Sequence, residues 1–267
     1  VKRRLGVMVV TLAVLVSGCG TGGSREQTPS AASPSTTTSV ARQELPSCQT
    51  VDISYKPPLR DQHIRCELVV DENRTITVSS DPAWSFNLRS DGLTTQEFRE
   101  PTDQIGESGA VPLLQDIDKS GNPVLLVIVG RGGTGGEPMA VWRLSGQQFV
   151  RAGELFGFRR FYRSAVGFFG NYAHSSAASG VVSLYRWDAD KLVKAITLDV
   201  QVADLPRFPD DRGEWIRNGN VDCTVSTNDY PLGSLAERQA AMRSAGIDPA
   251  TAAHQFCTQP WVGTLYR

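Results

Sequence analysis

Three groups of residues in this chain have types and spacings that could do chemistry. The first is Gly130-x-Gly132-x-x-Gly135, which follows the apolar run at residues 124–129 and holds five glycines in seven residues. Glycines at that spacing let a pyrophosphate approach the N-terminus of a following helix, so the motif needs a helix after it. Here Glu137, Pro138 and an alternating stretch to Leu144 follow, and the Gly-Lys-Ser/Thr of a phosphate-cradling loop is absent. We therefore expect a connection between two strands, residues 124–129 and 139–144, with no nucleotide or other cofactor on it. A loop at a sheet end can still meet a ligand.

The second group is Asp116-x-Asp118-x-Ser120, followed by Gly121. Two carboxylates and a hydroxyl at alternate positions are oxygen ligands of the kind a hard cation takes, with the glycine allowing a sharp turn. The carboxylate that closes an EF-hand loop at position 12 is missing, because that position is Val127. The third group is Cys48, Cys66, Cys223 and Cys257. Three pairings are possible on paper; Cys48 with Cys66 and Cys223 with Cys257 is favoured, since each closes a local loop beside a turn. No close Cys or His pairs occur of the kind zinc uses.

Nucleophilic catalysis finds little support. No Gly-x-Ser-x-Gly elbow is present. His174 stands beside serines in "HSSAASG", but adjacency in sequence is not triad geometry, and a loop histidine is expected. Asp210 and Asp211 lie in a proline-rich turn and read as solvated. Trp142, Tyr185 and Trp187 are expected to form the core and rim of a sheet.

The elements that position these residues begin with a leader. Lys2, Arg3 and Arg4 precede twelve mostly apolar residues, 5–16, too few to span a bilayer as a helix. The run closes on Val16-Ser17-Gly18-Cys19, which resembles the lipobox of bacterial lipoproteins. The resemblance implies cleavage before Cys19, diacylation of that cysteine and tethering to the outer face of the cell membrane. Two acyl chains together anchor stably. The Val at position 1 and the residue usage resemble those of high-GC Gram-positive bacteria. Residues 19–45 are rich in Thr, Ser, Pro and Gly, bury too little apolar surface to offset ordering entropy, and read as a disordered linker.

Removal of the three leader cations lowers 27 basic side chains to 24, against 28 acidic ones. Without a basic block, nucleic acid is not an expected partner. About 225 residues remain, room for one large domain or a domain with an appendage. Residues 46–205 read as a β-rich domain: "RTITVSS", "WSFNLRS", "MAVWRL" and "KLVKAITLDV" are short, β-branched or aromatic, and separated by turn residues. Residues 206–267 read as a C-terminal segment with two short helices. Ser234-x-x-Glu237 is a capping box opening a helix over residues 235–245, with Gly246 as its stop. Asp248-Pro249 opens the second.

A repeat sharpens the fold class. "VWRLSGQQFVRA" (residues 141–152) and "LYRWDADKLVKA" (residues 184–195) align without a gap at an offset of 43 residues, each as a strand, a tight turn and a second strand. A fainter third copy begins at Phe86. The spacing is that of propeller blades. The stretch "DIDKSGNPVLLV" resembles the calcium loops of FG-GAP and VCBS repeats, the integrin-type propeller family. That resemblance spans residues 113–149 and implies calcium on Asp116, Asp118 and Ser120. Its ninth-position carboxylate is replaced by Val124, so a turn whose Asp side chains bond their own backbone is favoured over a metal site. The expected fold is mainly β, with antiparallel sheets, propeller-like hairpin repeats and a small disulfide-stapled helical segment. The expected role is a binding or scaffolding module for an envelope protein or glycan; the alternative is an envelope hydrolase with a site assembled from distant residues.

Overall fold

The computed structural model describes residues 44–51, 63–80, 83–100, 110–164, 167–207, 213–226 and 234–266, all within the unit Glu44–Arg267. The leader, Cys19, nearly all of the linker, Asp210 and Asp211 lie outside the described residues.

Strands β1 (Arg65–Val69), β2 (Arg74–Ser80), β3 (Trp84–Ser90) and β4 (Leu93–Arg99) form a four-stranded antiparallel meander. Alternation decides its inner face. Ile76, Val78, Trp84, Phe86 and Leu88 are fully buried, while Ser85, Asn87 and Arg89 between them are only half-buried. The β1–β2 and β3–β4 turns differ in kind. Asp71 Oδ1 accepts the backbone N–H of Asn73 at 3.1 Å and of Arg74 at 2.9 Å, an Asx turn between β1 and β2. Asp91 and Gly92, at φ 50° and 82°, supply the two left-handed residues of the β3–β4 hairpin.

The second sheet runs β5 (Leu113–Gln115), β6 (Val124–Ile128), β7 (Glu137–Ser145) and β8 (Gln148–Gly157), again as an antiparallel meander. All five residues of β6 are buried because both of its faces are covered. Leu125 and Val127 pack with Trp142 and Phe149 into the core of the first sheet. Val124, Leu126 and Ile128 pack with Phe161, Phe169 and Tyr185 of the third.

That third sheet has β9 (Phe161–Arg163), β10 (Phe169–His174), β11 (Ser179–Asp188), β12 (Lys191–Val202), β13 (Ile216–Asn218) and β14 (Val221–Val225), in the order β13-β14-β12-β11-β10-β9. Its far face carries the helices α1 (Leu235–Ser244) and α2 (Ala252–Cys257), whose Met242 and Phe256 are buried with Val182, Leu198 and Val200. The C-terminal segment is therefore not purely helical: it adds two strands to the sheet its helices cover.

The helix signals act locally. Ser234 Oγ accepts the Glu237 N–H at 3.3 Å, the Glu237 carboxylate accepts the Ser234 N–H at 2.6 Å, and Gly246 takes φ 77°. The second helix starts later than Pro249, because Asp248 Oδ1 takes the Ala250 N–H in a turn first. The structure pairs Cys48 with Cys66, tying a 3-10 turn to β1, and Cys223 with Cys257, tying β14 to α2.

The two aligned hairpins are β7–β8 and β11–β12. In each, the register slips four pairs from the turn. Val141 faces Gly153 but Trp142 faces Arg151; Leu184 faces Ile196 but Tyr185 faces Lys194. The skipped residues, Ala152 and Ala195, are 43 apart, the offset of the sequence repeat. The β3–β4 hairpin has the same bulge, at Thr95, only two pairs from its turn. The described residues do not close a ring of blades. The first and third sheets share no core cluster, and the second is packed between them.

Candidate functional site

Meander topology sends the β1–β2 turn, the β5–β6 loop and the β7–β8 and β11–β12 turns to meet at one end of the sheets. There they enclose a cleft of about 440 Å³, lined by Asp71, Arg74, Asp118, Asn122, Arg143 and Trp187 among others. Every sheet contributes: Asp71 and Arg74 from the first, Asp118, Asn122 and Arg143 from the second, Trp187 from the third. A neighbouring depression of about 530 Å³ shares Asp71 and Arg74 and reaches Gln147.

Packing across sheets holds these side chains still. Trp187 Nε1 donates to Asp118 Oδ2 at 2.7 Å, and the Trp187 ring packs on buried Phe169 with centroids 5.5 Å apart. The Arg143 guanidinium lies 4.4 Å from the Trp187 ring centroid and donates from Nη1 to the Ala189 carbonyl at 2.6 Å. Ser145 Oγ donates to Asp190 Oδ2 at 2.6 Å, so the two repeated hairpins touch tip to tip. Arg74 is held differently: Nε donates to Asp71 Oδ2 at 2.7 Å, and Nη2 bonds the same oxygen, which matches its charge locally.

The acidic loop turns its oxygens inward. Asp116 accepts the N–H of Ser120 at 3.1 Å and of Gly121 at 3.0 Å, and Asp118 Oδ1 accepts the Ser120 N–H at 3.0 Å. Ser120 Oγ accepts the Asn122 N–H at 3.3 Å. Burial pushes the Asp118 carboxyl up, but hydrogen bonds from Ser120 and Trp187 outweigh it and hold the group below the usual carboxylate range. Among the described residues, no group of three or more His, Cys, Asp or Glu side chains is placed to hold a metal ion.

The glycine-rich loop lies at the opposite end of the second sheet. It joins β6 to antiparallel β7, and Gly132 N–H donates to the Gly136 carbonyl at 2.6 Å. Its glycines make room for an aromatic ring: a Cβ on Gly136 would sit 2.9 Å from Phe156 Cζ, and one on Gly132 3.2 Å away. Beside the loop, Glu137 pairs with Arg159 at 2.9 Å, and burial raises its carboxyl against the pull of Arg159 and Arg131. A strand follows the loop, in the place where a dinucleotide motif needs a helix.

His174 is the last residue of β10 rather than a loop residue. Its Nδ1 lies 2.7 Å from Tyr172 Oη, which in turn donates to Tyr266 Oη at 2.8 Å. Burial pushes both phenols above their ordinary range. Ser176 and Ser179 bond each other at 2.7 Å, and no hydrogen bond among the described residues joins His174 to either. Trp142 and Tyr185 are buried in the sheets, as expected of a core, while Trp187 is half-buried at the rim. Nothing in the sequence marks Arg143, Asp71 or Arg74 as site residues. Arg143 has only its place inside the repeat, opposite Arg186. No protein-family model, curated protein or solved structure matches this chain.

Proposed function

We propose that the chain is a lipid-anchored binding module on the outer face of the cell membrane, presenting the three-sheet cleft to a polar ligand of the envelope. The leader, the Val16–Cys19 tetrapeptide and the Ser/Thr/Pro-rich linker support the anchor. Two disulfides fit an oxidising compartment. The observation that carries the binding role is the cleft itself. Side chains from three sheets converge on it, and protein contacts already hold them in place, which lowers the ordering cost of binding. The shared bulge at Ala152 and Ala195 supports a further reading, that the paired hairpins are copies of one blade-type unit which set this end of the molecule.

Two experiments test the proposal. Cys19→Ala should release the protein from membranes or leave it unprocessed, and a mature, lipid-free N-terminus at another residue would exclude the anchor. For the cleft, the full chain in detergent is titrated with soluble muropeptides while the five tryptophan indole N–H resonances are followed. The Trp187 resonance should move first. Binding that leaves Trp187 unmoved places the ligand elsewhere and removes the role of the cleft.

A further inference from the structure

We infer that the ligand of the cleft carries a carboxylate, and that Arg143 is the residue that recognises it. The inference rests on reading the cleft as a binding site. Arg143 is a cation that the fold orients without neutralising. Among the described residues its only acceptor is the Ala189 carbonyl, and no carboxylate is paired with it. The Trp187 ring, 4.4 Å from the guanidinium carbon, and the Ala189 carbonyl together limit where the group can sit. Nε and Nη2 are left with no described acceptor, and their adjacent N–H groups form the edge that binds a carboxylate through two parallel bonds.

The other charged side chains of the cleft already have partners, although those of Asp118 are neutral donors and leave its charge in place. Arg74 is matched by Asp71, and Asp118 is held by Ser120 and by the Trp187 indole. The position of Arg143 argues against a sugar platform, because a cation lies over the Trp187 ring. At about 440 Å³ the cleft fits a ligand of one or two sugar or amino-acid units. A carboxylate of that size comes from an acidic sugar or from an acidic peptide.

Four probes separate these sources and test the claim on the full chain in detergent. N-acetylmuramic acid is compared with neutral N-acetylglucosamine, and the dipeptide Ala-Glu amide with Ala-Gln amide, by titration of the Trp187 indole resonance. At least one acid should bind about tenfold more tightly than its neutral counterpart, the scale of one charge-assisted contact. The acid that does so identifies the source. Arg143→Gln should abolish the preference and Arg143→Lys should restore part of it. Equal binding of acid and neutral probes, with Trp187 responding, overturns the carboxylate inference and leaves the cleft reading standing. Binding without a Trp187 response overturns both. No response to either acid at tens of millimolar also overturns the inference.

Discussion

Trp142 and Trp187 sit in neighbouring sheets, each with its indole N–H 2.7 Å from a carboxylate and each beside an arginine. Around Trp142 the set is closed. Glu100 is 2 % exposed, accepts from Trp142, and accepts from Arg151 Nε and Nη2 at 3.0–3.3 Å; Arg151 reaches Glu154 as well. Those bonds raise the Arg151 guanidinium and leave its charge matched. Around Trp187 the set is open. Asp118 takes the indole, but Arg143 goes to the ring face and to a backbone carbonyl. A tryptophan, a carboxylate and an arginine thus clamp the first sheet to the second in one place, and in the other leave a cation with no carboxylate partner among the described residues. Whether the arginine bonds the carboxylate decides the difference.

The largest expected effect separates the two carboxylates. Glu100→Ala strands the indole N–H of buried Trp142 and leaves Arg151 with Glu154 alone, and should cost about 2–3 kcal/mol in urea unfolding. Asp118→Ala removes hydrogen bonds from a half-buried group, and should cost about 1 kcal/mol. Equal losses would erase the distinction between closed and open sets.

A smaller effect depends on pH. The folded Asp118 carboxyl is depressed, so the stability it contributes is complete above the unfolded carboxylate value of about 4 and is lost as pH falls through the lower folded value. The difference in unfolding free energy between wild type and Asp118→Asn should therefore shrink as pH falls below about 4. A gap that widens in acid contradicts this assignment. The smallest effect concerns calcium. Because the Asp116 and Asp118 oxygens serve backbone N–H groups, millimolar calcium should leave the melting temperature unchanged. A rise that Asp116→Ala abolishes would restore the metal reading.

Local pattern carried much of the fold. The bounds of β2 and β3 coincide with the segments read from alternation, and α1 follows its capping box to within one residue. Strand β4 has little strand signal of its own, because "LTTQEFR" alternates weakly and is largely exposed; it is held by pairing with β3. The site was less legible. The spacing of Asp116, Asp118 and Ser120 marked the right loop, yet the partner of Asp118 is 69 residues away at Trp187. Arg143 meets Ala189 across 46 residues only because two bulged hairpins pack tip to tip. No local period encodes such a meeting.

The most direct test compares the two arginines in one denaturation experiment. Arg151→Met breaks a pair with buried Glu100 and should lower the unfolding free energy by about 3 kcal/mol. Arg143→Met gives up one carbonyl bond and a ring contact at a rim, and should cost no more than about 1 kcal/mol. That result would leave Arg143 oriented by the fold but not needed to hold it together. If Arg143→Met destabilises the protein as much as Arg151→Met, both sets are structural clamps, and Arg143 is not a residue kept for the proposed ligand.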